Sequence, residues 1–103
     1  LDMADYAKKS FGMFGGKEKT VKLLVDNRLA GVIIDRFGKD IMLIPADENH
    51  FTVNVDVHVS KQFLGWVFSL GEQVKILSPE EVVEQMQGEV KRLVEQYDSR
   101  VKV

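Results

Sequence analysis

Asp56 and His58 stand two residues apart in the stretch FTVNVDVHVS, residues 51–60, and His50 shares their parity. Side chains two apart on an extended backbone lie on one face, so an imidazole and a carboxylate in this register can be drawn as a proton-transfer pair or as the start of a metal site. Either chemistry needs a further group, a third ligand or a partner that orients the base. No serine, threonine or lysine is paired with a base at recognisable spacing. The simpler account is a set of polar residues on an open sheet face, and we expect no catalytic residue, no bound metal, no cofactor and a non-enzymatic domain. Cysteine is absent, which removes a thiol nucleophile, a thiolate zinc site and a disulfide framework.

The element that positions these groups is the alternating stretch itself. Phe51, Val53, Val55, Val57 and Val59 occupy odd positions, while Thr52, Asn54, Asp56 and His58 occupy even ones, the period of a strand with one buried and one open face. Before it, Val21, Leu23 and Val25 alternate with Lys22 and Leu24 in a strand over 20–25, and Asp26 or Asn27 caps a helix through Phe37 whose stripe is Leu29, Val32, Ile33 and Phe37, although the β-branched run Val32-Ile33-Ile34 also permits a strand there. Gly38 is placed to end it in a left-handed conformation. Arg36 and Lys39 then offset the negative helix end. A strand over 41–45 and a polar connection, Asp47 to His50, lead into the central stretch.

Beyond it, Ser60 caps a helix over 61–70 with Phe63, Leu64, Trp66, Val67 and Leu70 inward, Gly71 stops it, and a strand follows over 72–77. Ser78-Pro79-Glu80-Glu81 has the form of an N-cap serine, a proline at the first helical position and a capping-box glutamate. The helix it starts is expected to run to about Tyr97, with Val83, Met86, Val90, Leu93 and Tyr97 as one apolar seam. Val83, Met86 and Val90 are expected to pack on the domain's own sheet, leaving Leu93 and Tyr97 as a candidate helix interface.

Strand, helix, strand, strand, helix, strand is the order of two split βαβ units. The expected class is therefore α+β, a ferredoxin-like βαββαβ domain with helices on one face of a four-stranded antiparallel sheet, plus a C-terminal helix. Its first and third strands are central. The open face then presents Lys22, Leu24, Thr52, Asn54, Asp56, His58, Lys75 and Leu77, the candidate ligand or partner surface.

A chain of 103 residues suffices for one domain with its own core. Its 14 basic and 16 acidic residues give a formal charge of -2, so no general basic field holds nucleic acid. No apolar run approaches the length of a membrane span, and no membrane partner is expected. The start at Leu1 points to a piece of a longer protein, with a short helix over 1–10 and a connection, FGMFGG at 11–16, whose apolar side chains tuck into a neighbouring surface. That connection lacks the lysine and hydroxyl of a phosphate loop.

FGMFGG, the strand over 21–25 followed by IDRFG at 34–38, the alternating stretch at 51–60, GWVF at 65–68 with Gly71, and VKILSP at 74–79 leading into a final helix together resemble the C-terminal extension of WYL-domain transcriptional regulators, the DeoR-like helix-turn-helix group of bacteria. The resemblance implies a cytoplasmic regulator whose N-terminal winged helix contacts DNA and whose WYL domain senses a small-molecule or nucleic-acid effector. It implies that residues 1–16 are the end of that WYL domain and a linker, and that 17–103 form a ferredoxin-like extension associated with homodimerisation and effector response. The Trp-Tyr-Leu motif and its basic ligand-binding residues do not occur here, so no binding residue of the family carries over. A ferredoxin-like sensor that itself binds a small molecule is the alternative.

Overall fold

A computed structural model of the chain describes Phe11 and residues 15–98. The expected helix over 1–10 and the side chains of Met13 and Phe14 lie outside the described residues. Strand β1 spans Lys17–Asp26. The Asp26 carboxylate accepts from the Arg28 backbone N–H at 2.9 Å and opens a short 3-10 turn, Asn27–Leu29, that leads into helix α1, Ala30–Phe37. Strand β2 is Ile44–Pro45, strand β3 is His50–Val59, and helix α2 is Lys61–Ser69. A 3-10 turn at Gly71–Gln73 precedes strand β4, Val74–Ser78, and helix α3, Glu80–Gln96, closes the order.

The sheet order is β2-β3-β1-β4 with every pairing antiparallel, so β1 and β3 are central and the architecture is the ferredoxin-like one. Register is strict along the central pair, from Lys17 opposite Val59 to Asp26 opposite His50. It follows from the alternation, because a slip of one residue would turn five apolar side chains of β3 into water. Val21, Leu23 and Val25 of β1, the odd residues 51–59 of β3, and Val74 and Ile76 of β4 form the buried face. Ile33, Phe37, Phe63, Leu64, Val67 and Val82 close over it from the three helices.

Phe11 completes this core. It is fully buried, its ring edge-on to Phe63 at 5.3 Å and tilted against Trp66 at 5.8 Å. Ser60 ties it down: its hydroxyl caps α2 by accepting from the Phe63 N–H at 3.2 Å and donates to the Phe11 carbonyl at 3.1 Å. Trp66 belongs to the same aromatic cluster, against Phe37 as well. Arg36 does not merely face the end of α1. Its guanidinium lies 4.7 Å from the Phe11 ring centre and 5.3 Å from that of Trp66, a cation-π stack that lids the cluster.

Several local expectations are corrected. β1 begins at Lys17 because backbone pairing continues through its charged start. β2 shrinks to two residues, Ile44–Pro45, without the residues 41–43 expected at its start. The region 72–77 is divided between a turn and β4. Gly38 has φ 99° and ψ 156°, positive but far from the left-handed helical basin. Val32 turns outward, and α1 buries only Ile33 and Phe37. Ser78 does not cap α3: it pairs with Lys22 as the last residue of β4, and Pro79 is the N-cap, its carbonyl accepting from Val82 and Val83. Glu81 forms an ion pair with Lys19 instead of a capping box.

Within α3, an alanine Cβ at Gly88 would meet no atom within 4 Å. Glycine in an exposed helix interior sacrifices backbone entropy for no packing benefit. Gly88→Ala is expected to stabilise the domain by about 1 kcal/mol in urea unfolding, with the slope of the transition unchanged.

Candidate functional site

The open face gathers the residues read from the strand parity. Thr20 stands opposite Asp56 and donates its hydroxyl to that carboxylate at 2.5 Å, Lys22 stands opposite Asn54, and Leu24 stands opposite Thr52 on one side and Lys75 on the other. His58 stands opposite Glu18, and its Nδ1 donates to the Gly16 carbonyl at 3.2 Å, since a carbonyl only accepts. Lys22, Asn54, Asp56, Lys75 and Leu77 are exposed, while Leu24, Thr52 and His58 are half-buried. This surface offers donors, acceptors and two leucine side chains. Its described residues include no aromatic ring on which a base could stack.

The geometry separates the two histidines. His50 sits at the opposite end of β3, where its Nδ1 lies 2.9 Å from Asp47, and no group of three or more His, Asp or Glu suited to a metal ion occurs among the described residues. Asp47 also accepts from the Asn49 N–H at 2.7 Å, and Asn27 reaches across to the carbonyls of Glu48 and Asn49. Beside this turn Asp26 takes Arg28 through both carboxylate oxygens, Nε at 3.1 Å and Nη2 at 3.0 Å. That fork was not foreseen, because Asp26 reads equally well as a cap alone.

The Arg28 side chain and backbone N–H hold the Asp26 carboxyl well below the usual carboxylate range, at about 2. The Asn49 N–H and His50 lower Asp47, and Lys19 lowers Glu81. In each case the unfolded chain takes up a proton at a higher pH than the folded one. Their contribution is therefore complete above the ordinary carboxylate range and is lost as pH falls from there toward 2. Asp26→Asn is expected to make the acid side of a stability-against-pH curve shallower, as followed by urea midpoints between pH 5 and pH 2.

A second surface is apolar. Helix α3 has 17 residues and a length of about 25 Å, whereas the five-residue β4 beside it extends only about 17 Å. The seam therefore outruns the sheet. Val82 is fully buried, Val83 and Met86 pack partly on the core, and Leu93 is half-buried, but Val90 is 45%, Val94 63% and Tyr97 79% exposed. Val90 thus departs from the packing expected of it. Val94 was overlooked, although its spacing of four from Val90 places it on the same face. Phe68 of α2, 63% exposed, extends the patch. Between α2 and α3, over β4, lies a groove of about 580 Å³.

A family model of the WCX domain matches residues 17–94, most of the chain. The chain belongs to the WCX domain family. WCX domains are C-terminal domains associated with WYL-containing regulators, which bears out the regulatory context implied by the resemblance. No curated protein matches this WCX domain. The matched region starts at Lys17, so Phe11 contributes to the core from outside it. No helix among the described residues of this WCX domain is long and apolar enough to cross a membrane.

Proposed function

We infer that this WCX domain is a non-catalytic regulatory module of a cytoplasmic, DeoR-like bacterial transcriptional regulator, joining two copies of it and coupling effector sensing to DNA binding by another domain. The observation that carries the reading is the overrun of α3, which leaves Val90, Val94 and Tyr97 outside the core they would otherwise join. Contiguous exposed apolar side chains on a small domain favour a protein partner. A second helix of the same kind would cover them symmetrically. The open sheet face, rich in donors and acceptors, is then available for contacts with the neighbouring domains.

Light scattering coupled to size exclusion on residues 1–103 is expected to show a dimer forming over a micromolar concentration series. Val94→Asp combined with Tyr97→Asp is expected to return it to a monomer with its melting behaviour kept at low concentration. A monomer throughout, or a dimer indifferent to both changes, would count against assembly through α3. The alternative, a small-molecule sensor on the same fold, is favoured by the groove between α2 and α3.

A further inference from the structure

We propose that the groove between α2 and α3 binds a free, single-chain anionic amphiphile, an acyl carboxylate of about ten to fourteen carbons. This rests on the sensing alternative and not on self-association. The floor is Val74 and Ile76 of β4, and Phe68, Met86 and Val90 stand in the walls. At about 580 Å³ the space falls within the range typical of small-ligand sites, roughly 300–1,000 Å³.

Charge selects the class of ligand. Lys91 of α3 lines the groove, and none of its lining residues is a carboxylate. Lys91 has no ion-pair partner among the described residues. An apolar trough with an uncompensated ammonium group in its wall is complementary to an acyl chain ending in an anion. Phe68 and Val90, exposed for want of a protein neighbour, acquire a role as the lips of the trough.

Calorimetric titration of residues 1–103 with decanoate, dodecanoate and tetradecanoate, each below its micelle concentration, tests the assignment. Saturable one-to-one binding is expected, tightening about three- to fourfold per added methylene until the groove is full. Dodecanol is expected to bind at least tenfold more weakly than dodecanoate, and dodecyltrimethylammonium more weakly still. Lys91→Gln should erase the preference for carboxylate over alcohol, whereas Lys75→Gln, on the open face, should leave it unchanged. Phe68→Ser with Val90→Ser, at exposed positions that leave the fold intact, should weaken every ligand tenfold or more. Non-saturable uptake, equal affinity for the cationic analogue, or binding unchanged in these variants would overturn the proposal. So would a Phe68→Ser and Val90→Ser protein that loses self-association when the parent binds no acyl carboxylate, because the trough then belongs to a second copy. A melting-temperature rise with an unrelated metabolite, without acyl binding, would keep the sensing alternative and overturn this site.

Discussion

Phe11→Ala is expected to reduce the unfolding free energy by about 3–5 kcal/mol, the cost of emptying a fully buried aromatic site. The loss has three parts on one side chain: its apolar burial, the edge contact with Phe63, and the face on which Arg36 rests. Urea unfolding followed by Trp66 fluorescence measures it, and the same signal should shift to the red as water reaches the indole. Phe11→Leu, which refills much of the volume, is expected to recover more than half. A loss below about 0.5 kcal/mol, the scale of surface substitutions, would show that Phe11 is not part of the core. A chain cut to begin at Lys17, the start of the matched family region, should show the same deficit as the alanine variant.

Gly16→Ala is expected to destabilise by about 3 kcal/mol, combining a disfavoured backbone with a collision that cannot relax cheaply. Gly16 has φ +95°, and a Cβ there would stand 2.3 Å from the Val59 carbonyl oxygen and 2.9 Å from the Ser60 nitrogen. Those are backbone atoms of β3 and of the cap of α2, so no rotamer change removes the contact. Gly15 makes the control: its φ is +83° but a Cβ meets nothing within 4 Å, so Gly15→Ala should lose only about 1 kcal/mol. Equal effects at the two positions, measured by the same urea unfolding, would refute the steric account.

How far the structure was legible follows from the range over which each signal acts. The parity of residues 51–59 disclosed the buried and open faces of β3 because a strand's period depends on nothing beyond itself. Ser60 and Asp26 disclosed their caps for a similar reason, each accepting from an N–H two or three residues away. The order of elements then placed β1 and β3 at the centre. Ser78 misled because its local pattern satisfied a capping rule while a distant strand claimed the residue for pairing. Arg36 looked like a charge at a helix end until Phe11, 25 residues earlier, supplied the ring beneath it. For the candidate surfaces, helical spacing named the right face of α3, but which part of that face the sheet covers depends on the length of β4.

The short β2 has a consequence for the opposite margin of the sheet. It meets β3 only at Phe51 and Thr52, so no strand among the described residues flanks Val53 to Val59 on that side. A long, regular, unflanked margin rich in valine is the kind of backbone template that recruits strands from other chains and seeds aggregates. Along this one, Asn54, Asp56 and His58 interrupt the valines, and stacking copies in register would bring like Asp56 charges together. Resistance to edge-to-edge association thus rests on charge as much as on geometry, and it weakens at high salt.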